Sequence, residues 1–222
     1  MERPILLKAY EVSGILDGRQ TQLRRIVKNQ QPYMEYVGID CKDRSPTWGV
    51  HDGKTKESVA FIKCPFGQLG DRLWGKETWQ SLWAEAEQRP PYGLKSNEGW
   101  AVSYAATNGI LEYYDEDDGV VARCKSSTQM PRWASRILLE IVGVRVERLQ
   151  DISERDVKAQ GIQGSVGREI DPAWLKASEP LAPTGNFLKD IFAGLWSHIH
   201  GQESWQASPW VWVVEFKRVD VS

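Results

Sequence analysis

Trp210-Val-Trp-Val-Val-Glu-Phe-Lys217 is the stretch that decides the fold of this chain. Successive side chains on a strand point to opposite faces of its sheet. Here hydrophobes occupy both faces, the pattern of a strand covered on each side. The segment therefore reads as a central strand, and one that reaches the core late in the chain.

Working outward, Ile137 to Leu149 is long, β-branched and alternating, which predicts a strand pair or one bent strand. Between these two segments, Leu188, Ile191, Phe192, Leu195, Trp196 and Ile199 recur with the spacing of an amphipathic helix. Ser153-Glu-Arg-Asp156 resembles a capping signature and predicts a short helix ending near Gly161. Asp171 to Ala177 predicts a further helical turn. Near the N-terminus the chain reads as a strand over 4–8, a helix over 10–17 stopped by Gly18, and a strand over 21–28. On that last strand Thr21, Leu23, Arg25 and Val27 share one face, and Gln20, Gln22, Arg24 and Ile26 share the other. Short extended pieces at 36–40, 47–51 and 58–63 suggest hairpins. A turn-rich Cys64–Asp71 leads to a strand over Arg72–Trp79, residues 84–98 read as a polar loop, and acidic Glu112–Asp118 as a solvated hairpin tip. Many short strands, few helices and late strands returning to the core predict an α+β chain built on a small mixed barrel.

A length of 222 residues suits one domain with insertions. The formal net charge of −2 argues against a coat protein held to nucleic acid by bulk charge, yet leaves room for a local basic patch. Eleven tryptophans favour both a large aromatic core and ligand-facing rings. Cys41, Cys64 and Cys124 are odd in number and widely spaced. With no signal peptide or membrane-spanning run in the sequence, they suit a reducing cytoplasm. A zinc site from Cys64, His51 and the His198/His200 pair matches none of the usual ligand spacings, so no metal or cofactor is expected. No nucleophile elbow surrounds a serine, and no phosphate-cradling glycine loop is present.

Three segments combine charge, aromatic rings and turn residues: Gly18-Arg-Gln-Thr-Gln-Leu-Arg-Arg25, Gly70–Trp79 and Gln129-Met-Pro-Arg-Trp-Ala-Ser-Arg136. Guanidinium groups suit phosphates and base edges, and amides read polar planar ligands. The plainer reading makes the first a solvated turn, Trp133 a core residue, and Arg136 an ion-pair partner of Glu77. Pro131 can open a helical turn that sets Trp133 and Arg136 on one side.

With Ile15–Arg25, Cys64-Pro-Phe-Gly67, Gly70–Trp79, Met130–Ile137, Val144–Ser153 and Trp210–Lys217 in this order, the chain resembles ASCH-domain proteins of the PUA-like superfamily, in the longer branch common in bacteriophages and prophages. The resemblance implies a PUA-like mixed β-barrel with flanking helices. It also implies loop insertions near 28–62, 84–128 and 163–185, and a cleft for RNA or a modified nucleoside. Some small relatives remove the acetyl group from acetylated cytidine, and others are linked to RNA cleavage. In the amidohydrolase branch a lysine follows the Gly-Arg pair, a threonine lies three residues on, and a glutamate sits in the helix after the long strand. This chain has Gln20, Leu23 and Gln160 at those positions. Glutamine is no general base at neutral pH and leucine no nucleophile.

The resemblance therefore implies a ligand-binding module for RNA or a nucleotide-like molecule in a bacterial cytoplasm. Arg19, Arg24 and Arg25 would meet phosphate, Gln20, Gln22 and Gln160 a base edge, and Trp79 or Trp133 would stack, with Arg132 and Arg136 nearby. Hydrolysis by re-sited groups such as Thr21, Lys76 and Glu77 is the enzymatic alternative. Binding of a host protein through exposed tryptophans is the third reading.

Overall fold

The computed structural model describes residues 1–30, 32–40, 42, 45–51, 60–83, 96–97, 100–115, 117–162 and 183–220. The helical turn expected at 171–177, nearly all of the loop expected at 84–98, most of the insertion at 163–185, and Cys41 lie outside them. Among the described residues the chain is α+β, with several sheets and few helices. Among the described residues none of these sheets closes on itself. No described helix is long and apolar enough to cross a membrane.

The backbone groups into two compact units. The first contains Met1–Asp17, Arg72–Leu139 and Arg218–Ser222, and the second Gly18–Asp71 and Glu140–Lys217.

In the first unit, β1 (Glu2–Leu6) runs parallel to β6 (Arg72–Lys76). The start of β12 (Leu138–Arg148) follows on the other side of β6. Gly75 is the close approach in this sheet: an added Cβ would lie 2.6 Å from Leu7 Cδ1 and 3.1 Å from Ile137 Cβ. Helix α1 (Ala9–Leu16) opens with the Glu11 carboxylate accepting the Lys8 N–H at 2.9 Å. Past its end Gly18 takes φ +76°, the left-handed stop expected there. The strand expected over 72–79 is broken after Lys76, and Glu77, just beyond the break, is buried. The chain resumes as β7 (Trp79–Trp83), which pairs with β9 (Trp100–Tyr104) and, through it, with the two-residue β8 (Ser96–Asn97). Helix α2 (Ala105–Asn108) follows, and β10 (Tyr113–Asp115) with β11 (Gly119–Val121) forms the acidic hairpin. Trp79, Val102, Tyr104, Met130 and Ala134 make a buried cluster.

In the second unit, β13 (Trp210–Val219) lies between β12 and β2 (Gln22–Ile26), the central position its sequence predicts. It is antiparallel to β2, with Glu215 opposite Gln22 and Val213 opposite Arg24. The segment 137–149 resolves as a single strand rather than a pair. Strands β3 (Tyr33–Ile39), β4 (Pro46–His51) and β5 (Ala60–Lys63) form an antiparallel sheet. Val27, Met34, Trp48, Val50 and Trp212 pack as a core, with Val144 and Val146 of β12 against it. Helix α3 (Glu154–Ala159) is capped by Ser153, whose Oγ accepts the Asp156 N–H at 3.1 Å, as the capping signature predicts. The amphipathic segment forms α4 (Phe187–His200), which packs with α5 (Gln202–Gln206) through Phe192, Trp196 and Trp205.

Candidate functional site

Alternation on three neighbouring strands assembles the polar cluster of the second unit. On β12, Val144 and Val146 face the core, so Arg145 and Glu147 face the other way. On β2, Leu23 and Val27 are buried on one side, which turns Gln22 and Arg24 to the other, where they are buried too. Glu215, opposite Gln22, is the one carboxylate in the apolar run of β13. Helix α3 covers this polar face with Asp156 and, one turn later, Gln160.

The resulting network is dense. Arg24 Nη1 lies 2.6 Å from Glu147 Oε1, and its Nη2 3.6 Å from Asp156 Oδ2. Arg145 reaches Glu147 at 2.8 Å, Asp156 at 2.9 Å, and the Glu215 carboxylate. Gln22 stands in the middle. Its amide donates to Asp156 at 2.7 Å, and its carbonyl oxygen accepts from Arg24 Nε at 3.2 Å and Gln160 Nε2 at 3.0 Å. Burial alone would raise the Asp156 pKa. The Gln22 amide, the Ser153 hydroxyl and the Arg145 guanidinium outweigh it and bring the carboxyl down to about 2. Burial pulls the Arg24 pKa down, against the opposing pull of Glu147. Burial acts the same way on Arg145, but its three carboxylate partners push its pKa above the ordinary arginine value. Two arginines face three carboxylates, so the cluster is balanced within the protein and slightly acidic. It is no anion site.

Gln20 and Gln160 sit at the edge of this network. They meet as an antiparallel β-bridge, reinforced by Thr21 N–H donating to the Ala159 carbonyl at 2.9 Å. Gln20 is 2% exposed, and its Nε2 donates to the Gln22 carbonyl at 3.0 Å. Its Oε1 is buried without a protein donor among the described residues. Gly161, at φ +84°, ends α3 against this pair, where an added Cβ would come within 3.4 Å of Gln20 Cβ. Arg19 donates to the Gly161 carbonyl at 3.0 Å, and Arg25 to the Arg24 carbonyl at 3.0 Å. Thr21 is exposed, and Leu23 is fully buried in the core.

The remaining expected residues belong to the first unit. Arg136 grips Glu77 with two parallel bonds of 2.9 Å, the ion pair the plainer reading anticipates, and also donates to the Thr107 hydroxyl. Its guanidinium stacks 3.9 Å from the Tyr104 ring centre. Tyr104 donates to the Ala134 carbonyl at 2.8 Å. Burial, with Glu77 adding to it and Arg136 opposing it, raises the Tyr104 pKa to about 12. The turn after Pro131 is a 3-10 turn over Arg132–Ala134 and ends before Arg136. Trp133 is therefore not a core residue. It exposes 40% of its surface and stands edge-on to the buried Trp79, with ring centres 6.3 Å apart. Lys76 donates to the Thr128 carbonyl at 2.6 Å.

Sequence reasoning missed Arg145, Glu147 and Glu215, and read Asp156 only as part of a cap. The signal lay in Val144-Arg-Val-Glu147, where charges alternate with core valines, and in the single acid of Trp210–Lys217. Among the described residues no group of histidines, cysteines and carboxylates is placed to hold a metal. No protein-family model, curated protein or solved structure matches the chain.

Proposed function

We propose that this chain is an ASCH-type module that binds RNA or a nucleotide-like ligand in a bacterial cytoplasm without hydrolysing acetylated cytidine. One observation carries the reading. Gln20 and Gln160, the positions that the resemblance equates with a catalytic lysine and glutamate, lie side by side, and both side chains converge on Gln22. Residues so far apart in sequence meet where the resemblance needs a pocket, but as amides. An amide neither takes nor gives up a proton at neutral pH, whereas it hydrogen-bonds base edges well. Leu23, at the nucleophile's position, is fully buried and has no reactive atom.

Gln20 Oε1, buried with no protein donor among the described residues, is the acceptor that an N–H of the ligand would satisfy once a local opening of the site admits it. Leaving such an atom unpaired in the interior costs on the order of 1–3 kcal/mol. A ligand donor would recover part of that. The re-sited hydrolase is less well supported, since Lys76 and Glu77 are engaged by Thr128 and Arg136. The reading also takes the strands to derive from a PUA-like barrel.

The test is titration calorimetry with cytidine, acetylated cytidine and the other nucleosides, with acetate release followed in parallel. Saturable nucleoside binding without acetate release, lost in Gln20→Leu, is expected. Acetate release abolished by Glu77→Gln would instead make the chain a hydrolase, and absence of any nucleoside binding would remove the reading.

A further inference from the structure

Phosphate contacts are not supplied by Arg24, whose charge Glu147 and Asp156 already balance. The first unit, taken by itself, carries a surface of the opposite character. Lys76 Nζ lies 5.4 Å from the centre of the Trp74 ring and donates to a backbone carbonyl. Lys125 Nζ lies 5.0 Å from the centre of the Trp79 ring and donates to the Ser81 hydroxyl. Both ammonium groups thus have neutral oxygens as hydrogen-bond partners, and neither forms an ion pair among the described residues. Arg132 lies 6.0 Å from the Trp74 ring centre and pairs with Glu2 at 2.9 Å. Three cations therefore share one carboxylate, on a chain whose formal net charge is −2.

Trp133, next in sequence to Arg132, is the exposed ring of this surface. Trp79 is 4% exposed, so it serves as the wall that holds Trp133 and Lys125 and offers no face to a base. An exposed indole packed edge-on against a buried one, on a unit whose Lys76 and Lys125 have no carboxylate partner among the described residues, suits stacking of an unpaired base with cations left for its phosphates. A duplex hides its base faces, and an acidic peptide would satisfy the cations without using the indole.

We propose that the Trp133 surface, with Lys76, Lys125 and Arg132, binds single-stranded nucleic acid, Trp133 stacking on a base and the cations contacting flanking phosphates. This rests on the reading that the chain binds a nucleotide-like ligand, and adds to it the strandedness and a second binding surface.

The experiment uses the full chain and labelled oligonucleotides of about 12 nucleotides. Fluorescence anisotropy compares single-stranded RNA, single-stranded DNA and the corresponding duplex at about 50 and 200 mM salt, with polyglutamate as competitor. Binding of either single strand above the duplex is expected, the RNA and DNA arms showing whether the 2′-hydroxyl contributes. Trp133→Ala should weaken it about tenfold, and Trp133→Phe much less. Lys76→Ala with Lys125→Ala should weaken binding and lower the salt slope by roughly 1.4, about 0.7 for each phosphate of a single strand that is no longer neutralised. Melting temperatures confirm that each variant is folded, and Lys→Gln replacements serve if the alanine pair is not.

Folded variants that bind as tightly as the parent would overturn the proposal, as would equal binding of duplex or displacement of the strand by polyglutamate. If those variants are neutral while Gln20→Leu still abolishes nucleoside binding, the surface fails and the proposed function stands. If the parent binds neither oligonucleotide nor nucleoside, both fail.

Discussion

Arg24 shows how a single residue changes meaning once its neighbours are known. In the sequence it belongs to a basic octet that suits phosphate. In the fold its side chain is buried and its guanidinium lies between Glu147 and Asp156. Taking away one partner of a buried pair strands the other charge, so Arg24→Met should destabilise the protein by about 3 kcal/mol, measured by urea denaturation. Arg24→Met combined with Glu147→Leu should recover part of that loss. Asp156 sets a pH limit of its own. Its folded pKa of about 2 lies below the ordinary aspartate value near 3.8. Between those two values the unfolded chain binds more protons than the folded one. The stabilisation from Asp156 is therefore complete above about pH 4 and is lost as pH falls toward 2. Asp156→Asn should remove this component of the acid limb in a pH series of denaturant midpoints; an unchanged limb would contradict the assignment.

At the scale of elements, β6 and α3 are the ones most exposed to single substitutions. A Cβ on Gly75 would meet Leu7 and Ile137, so Gly75→Ala should lower stability by about 1–3 kcal/mol through overpacking. Ser153→Ala should cost about 1 kcal/mol by uncapping α3, and would loosen Asp156 as well, whose carboxylate Ser153 also donates to at 2.8 Å. Both are read as shifts in denaturation midpoint. The elements with a strong period were legible in the sequence. The apolar run of β13 announced a central strand, and the spacing from Leu188 to Ile199 announced α4. The break after Lys76 was not legible, because the partner that Glu77 meets just beyond it, Arg136, lies 59 residues away in sequence. The polar cluster was half legible. Alternation placed Gln20, Gln22 and Arg24 on one face of β2, but period alone does not say that the face will be covered by α3 and charged residues of β12. Composition left each tryptophan open to a core or a ligand-facing place, and the structure divides the two stacking candidates: Trp79 is buried, whereas Trp133 faces outward.

At the scale of the whole molecule, neither compact unit is a continuous piece of sequence. The first is drawn from three chain segments and the second from two, and both β12 and β13 contribute residues to each. Damage to either strand is therefore damage to both units. Unfolding should be a single transition, with tryptophan fluorescence and far-ultraviolet circular dichroism giving coincident midpoints; separated midpoints would show that the units melt independently. The position of β13 also sets an order of events during synthesis. It is the middle strand between β12 and β2 in the second unit, and it is translated after every other described element. Until Trp210–Val219 leaves the ribosomal tunnel, β2 and β12 have no strand to pair across, and the polar face with Arg24, Arg145 and Asp156 has no Glu215. The nascent chain must carry an unfinished sheet until β13 emerges, so a delay at this strand would expose the unpaired edges of β2 and β12 to chaperones.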